Sequence, residues 1–200
     1  MIRPELMNRE NSSLIQKNFL EFHTALCRVI DSAALSFETG SRSGLLQSAR
    51  QADILQELGE DFCQKWDPDD DLDRSCRTQL SCMALRAAAV LRSLCTVGAS
   101  PLEGFEESRS FLGSLCRRVS DRLDWSVRSQ LLGPRYGDAA GEEDIELTLS
   151  ELPLSLVGEK RLSRVESLLD FRDCLRAASD LFEIVGEVRR MADKLFPVGK

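Results

Sequence analysis

The chain has 200 residues, 42% of them hydrophobic and 30% charged, with a formal charge of -7 and a pI near 4.9. That is the composition of one globular domain spanning 1–200, not of a disordered tail, a collagen or a membrane bundle. The acidic balance argues against broad phosphate contacts with nucleic acid, and no uninterrupted apolar run reaches the roughly 20 residues of a membrane helix.

Met1–Glu10 carries charges and no apolar stretch, so it does not read as a secretory leader. From about 12 to 38, Ile15, Phe19, Phe22, Leu26, Val29, Ala33 and Phe37 recur at steps of three and four. They form one face of an amphipathic helix, which Thr39-Gly40-Ser41 stops. A second helix is expected over about 43–66 on the looser stripe Leu45, Ala49, Ala52, Leu55, Phe62 and Trp66. Asp67-Pro68-Asp69-Asp70 supplies a capping acid, a proline for the first helical position and acid for the first turn, so a third helix starts there and runs to about Cys95. Its middle, 83–91, is apolar nearly all round apart from Arg86, the pattern of a helix at the centre of a bundle.

Ser100-Pro101-Leu102-Glu103 combines a capping box with proline at the first helical position and opens a fourth helix. Its stripe is Phe105, Leu112, Leu115, Val119, Leu123, Val127 and Leu131, and Gly104 and Gly113 each weaken it by up to about 1 kcal/mol relative to Ala. The pattern vanishes over 133–144, a loop. Ile145, Leu147 and Leu149, then Leu152, Leu154 and Leu156, alternate with polar residues and Pro153. Residues 133–158 are therefore a loop and a short extended segment, near 145–157, between the fourth and fifth helices. The last helix, about 159–195, keeps its spacing through Phe171, Cys174, Ala178, Leu181, Val185, Val188, Ala192 and Leu195, widened by Leu168, Leu175 and Phe182. At about 55 Å long it has Gly186 as the place for a kink, and Pro197 ends it. The expectation is an all-α bundle of about five long amphipathic helices in a single domain, without internal repeats.

Rare residues bound the chemistry. There is one histidine, His23, so a catalytic triad or Cys-His dyad is built on it or not at all, and neither a two-histidine zinc site nor a diiron carboxylate bundle is possible. His23 itself reads as a partly buried helix histidine flanking the first stripe. Seven cysteines, Cys27, Cys63, Cys76, Cys82, Cys95, Cys116 and Cys174, form no C-x-x-C pair and sit mostly among apolar residues, as small hydrophobes in a reducing compartment. Asn11-Ser12-Ser13 matches a glycosylation sequon, a pattern common by chance. No glycine-rich phosphate loop occurs. Five lysines against twenty-one arginines suit ion pairing and interfaces better than amine chemistry.

Four constellations stand out. Asp67, Asp69, Asp70, Asp71 and Asp73 imitate half a calcium loop, but Leu72 and Thr78 stand where glycine and the bidentate glutamate belong, so a solvated capping loop is expected and not a metal site. Arg118, Arg122 and Trp125 share a helix face away from the Leu115–Val119–Leu123 stripe, the composition of an interface hot spot, unless Trp125 packs on the last helix or under the loop that follows. Ile145, Leu149, Leu152 and Leu154 carry the spacing of a leucine-rich export signal, or dock on the protein's own core. Arg117-Arg118-Val119-Ser120 and Lys160-Arg161-Leu162-Ser163 resemble basophilic kinase sites, with Ser163 the better placed, near a helix start. The carboxylate pairs Glu57/Asp61 and Glu183/Glu187 read as solvated helix faces.

With no catalytic, cofactor or metal constellation, the expected function is a non-enzymatic protein–protein interaction module: an adaptor, scaffold or regulatory subunit, cytoplasmic or nuclear. Its expected partner is another protein, or a second copy in a homo-oligomer, met through helix faces. The last helix is the first candidate and the Arg118, Arg122 and Trp125 face the second. The alternatives are a secreted helical cytokine, which requires disulfides, and an enzyme or small-ligand binder with a pocket between helices.

Overall fold

A computed structural model of the chain describes residues 14–64, 71–100, 106–132 and 165–197. Six helices make up nearly all of these residues, and there is no strand among them: α1 Leu14–Glu38, α2 Arg42–Gln51, α3 Asp53–Gln64, α4 Asp71–Gly98, α5 Glu106–Leu132 and α6 Val165–Leu195. The protein is the all-α bundle that its periodicity predicts.

The local signals explain most of the boundaries. Gly40 takes the left-handed conformation (φ 65°) that glycine adopts without penalty, and the Ser41 amide donates back to the Ser36 carbonyl at 2.9 Å, closing α1. Ser41 then caps α2, its hydroxyl accepting from the Gly44 amide at 3.1 Å. The single helix expected over 43–66 is instead two. It breaks at Ala52, whose amide still donates to the Ser48 carbonyl while its own carbonyl accepts from Leu55 and Gln56. The last helix runs through Gly186 unbroken. The cap at 101–103, the acid run before α4, the segment near 145–157 and Ser163 lie outside the described residues or side chains.

The pairings give the topology. α1 lies antiparallel to α5, with His23 opposite Leu123 and Glu38 opposite Arg117. α3 is antiparallel to α4, joined by Ser81 donating to the Gly59 carbonyl and Arg92 to Asp53. α4 is antiparallel to α6, with Arg86 between Glu183 and Glu187 and Lys194 beside Gln79. α5 and α6 run the same way, because Trp125 faces Arg189 while Leu115 and Phe111 meet Ala178 and Phe182.

One main core draws buried residues from all six helices, among them Phe19, Leu45, Leu55, Leu91, Leu123 and Val188. Small residues let the axes approach. A side chain at Gly113 would lie 2.7 Å from Glu38 Cγ and 3.0–3.1 Å from the α1 backbone at Glu38 and Ala34. Gly113 is thus the contact point of α5 with α1, and its cost in helix propensity is offset by that closeness. Buried serines close the α1–α2 seam, Ser32 to Ser48 at 2.9 Å and Ser48 to the Gly44 carbonyl at 3.0 Å.

Candidate functional site

The one histidine is enclosed. His23 is 0% exposed, not partly buried, and it belongs to the apolar face of α1, four residues after Phe19 and three before Leu26. Its Nε2 lies 3.1 Å from the Leu123 carbonyl of α5, and since a carbonyl only accepts, Nε2 carries the proton. Its Nδ1 has no hydrogen-bond partner among the described residues. Burial holds the ring below its usual titration range, partly countered by that hydrogen bond and by Asp124.

Cys27, one turn on, places Sγ 3.6 Å from His23 Nε2, so the structure brings together a Cys-His pair that the sequence reading did not single out. As it stands it is no nucleophilic dyad. The nitrogen facing the thiol already donates to Leu123, and burial, with Asp124 and Asp31, pushes the Cys27 thiol up to about 12. Cys27 is half-buried, and with Thr24, Arg28, Asp31, Ser120 and Asp124 it lines a solvent-open hollow of about 170 Å³ between α1 and α5.

The other cysteines follow the same logic. Cys95, Cys116 and Cys174 sit together in the core where α4, α5 and α6 meet, and burial pushes Cys95 up to about 12 and Cys116 higher still. The six described cysteines are all free thiols, whereas the helical-cytokine alternative depends on disulfides. No group of three or more metal-ligating side chains comes together among the described residues.

Of Arg118, Arg122 and Trp125 on α5, Trp125 meets α6. Trp125 is half-buried with the Arg189 guanidinium 6.0 Å from its ring centroid, Arg122 is half-buried, and Arg118 is exposed. Beside it, half-buried Phe111 and Phe182 pack on a small apolar cluster of Leu115 and Ala178, separate from the main core. Trp125 is therefore partly used in joining the two helices. The serine of the first kinase-like match, Ser120, is 5% exposed inside the α1–α5 contact.

The stripe of the last helix is consumed internally: Cys174, Ala178, Leu181, Val185, Val188 and Ala192 are all buried. Its exposed positions include Arg172, Asp173, Arg176, Glu183, Arg189 and Arg190, so the surplus apolar face expected there is absent among its described residues. Glu183 and Glu187 are not a merely solvated pair either; both bind Arg86 of α4, Glu187 at 2.9 Å.

Exposed large apolar side chains stand singly on α1, α2 and α3 (Leu14, Leu35, Leu46 and Ile54), and on α4 one lies within a longer uncharged line. Arg74–Gly98 is long and apolar enough to cross a membrane by length and composition, with a mean hydropathy of 1.5 in its most apolar window, although only 50% of that window is buried against the bundle. Its outward line, Thr78, Cys82, Leu85, Ala89, Ser93 and Thr96, is exposed and uncharged over about five turns. Leu85 is 40% exposed. Arg86, held by α6, and Arg92, held by Asp53 and Gln56 of α3, flank it. On the α6 side a hollow of about 310 Å³ continues the face, with Cys82, Met83, Glu187, Arg190 and Lys194 in its walls. The sequence signal was present in the run 83–91, but an all-round apolar helix reads as central until the neighbours that leave one side bare are known.

Ile145, Leu149, Leu152 and Leu154 lie outside the described residues. Comparison of the chain with protein families, with curated proteins and with solved structures finds no match.

Proposed function

We propose that the protein is a non-enzymatic protein–protein interaction module, an adaptor or regulatory subunit of the cytoplasm or nucleus, that docks another protein on the outward face of α4. The observation that carries this reading is the exposed, uncharged line Thr78, Cys82, Leu85 and Ala89 on α4, the helix that holds the membrane-length apolar window found among the described residues. A helix stabilised only by its own core needs one apolar side and tolerates charge on the other; α4 instead keeps its outward line uncharged around exposed Leu85, a surface suited to a partner. The fixed ion pairs of Arg86 and Arg92 form a polar rim of the kind that surrounds interface centres. Free thiols suit a reducing compartment. The half-exposed Trp125 with Arg118 is a second, smaller surface for the same kind of contact.

The test is affinity capture from the native source with the full chain and with Leu85→Gln/Ala89→Arg, after circular dichroism has established that both melt alike. A specific partner retained by the wild type and depleted by about tenfold or more in the variant is the expected result. Identical captured sets would refute the α4 face.

A further inference from the structure

We infer that His23 is an acid-sensitive clasp: its uptake of a proton at Nδ1 releases the N-terminal half of α1 from α5 and opens the seam between them.

The geometry makes the clasp one-sided. The ring sits wholly inside, stacked near Phe19 with centroids 6.5 Å apart, and Phe19 in turn meets Phe196 beyond the end of α6. One ring nitrogen donates to the Leu123 carbonyl, which also accepts from the Ser126 hydroxyl at 2.9 Å. The other has no acceptor, so a proton added there is a buried charge with an unmade hydrogen bond. Nearby charges give little relief. From α5 the groups that face the ring are Asp124 and Arg128, opposite in sign and paired with each other at 2.7 Å. From α1 it is the Cys27 thiol, which is neutral. The cheapest way to hydrate an imidazolium here is to part α1 from α5. Opening also exposes Phe19, Phe22 and Leu26, an apolar face that is covered at neutral pH.

The sign follows from linkage. A solvated imidazole takes its proton near 6.5, while burial holds the enclosed ring lower. Between those two values the opened form binds more protons, so acid favours opening and neutral pH favours closure. At pH 5.5 the opening equilibrium rises by up to about tenfold over its value at neutral pH, the limit set by the opened ring.

The experiment is amide hydrogen exchange of the full-length protein read by peptide mass spectrometry, comparing the α1 segment 19–26, whose Phe19, Phe22, His23 and Leu26 are wholly buried, with the α4 segment 91–95, each corrected for its intrinsic rate. The expected result is an opening ratio of the α1 segment to the α4 segment that climbs by up to about tenfold from pH 7.5 to 5.5 in the wild type and stays level in His23→Gln, whose amide keeps a donor for Leu123 but does not titrate. A level wild-type ratio, or an equal climb in the variant, overturns the clasp. If His23→Gln does not fold, the imidazole resonance of the sole histidine decides. A ring that titrates near 6.5 inside the folded protein, with the amides of 19–26 still protected, overturns the clasp. A ring that stays neutral until the seam opens supports it.

Discussion

Single residues here act through what lies opposite them. Gly113 is the clearest case: read along the chain it weakens a helix, yet across the bundle it admits the backbone of α1. Gly113→Ala is accordingly expected to lower stability by about 1–3 kcal/mol in urea titration, the cost of overpacking, where propensity alone predicts a gain of about 1 kcal/mol. A gain would show that α1 yields freely. The cysteines make a second prediction. With Ellman's reagent at pH 8, Cys82 reacts at once, while Cys95 and Cys116 stay silent until urea unfolds the chain, because burial both blocks access and holds them as thiols. Early reaction of Cys95 would contradict the packing of α4 on α5 and α6. The burial of His23 was within reach of the sequence, since it shares the α1 face with Phe19 and Leu26 at helical spacing. Its partner, 100 residues away, was not, because nothing local specifies a tertiary acceptor.

At the scale of elements, core and rim differ in what they contribute. Arg86 joins α4 to α6 through Glu183 and Glu187, but these side chains are 36%, 63% and 33% exposed, and water screens the pair. Arg86→Met is expected to shift stability by no more than about 1 kcal/mol, whereas Leu91→Ala, at a wholly buried position on the same helix, costs about 2–5 kcal/mol. Equal losses in the two chemical-denaturation curves would mean that the ion pairs, not the apolar stripe, hold α4. The helices themselves were legible because a 3.6-residue period is a local property, and the stop at Thr39-Gly40-Ser41 was legible because only glycine enters that turn freely. The break at Ala52 was not: alanine favours helix, so no residue there announces it, and the joint reflects how α2 and α3 pack separately on α1 and α4.

For the whole molecule, periodicity shows that each helix has an inward side but not which neighbours supply the wall. That is why the last helix read as the docking element. Its unbroken stripe turns out to fill the space between α4 and α5, and α4, covered by α3 on one flank and α6 on the other, keeps an uncharged line around Leu85 in water. Charge tells the same story. The chain carries -7 overall, yet the outward line of α4 has no ionised group from Thr78 to Ala89, a gap that a soluble surface does not need and a docking face does.

Site-specific photo-crosslinking tests that claim most directly. A benzophenone amino acid placed at Ala89, on the outward line of α4, is compared in the native cell with the same group at Arg176, on the charged outer side of α6. The account predicts a discrete adduct heavier than the 22.4 kDa chain from position 89 and none from position 176. Equal adducts from both positions, or none from position 89, would contradict it.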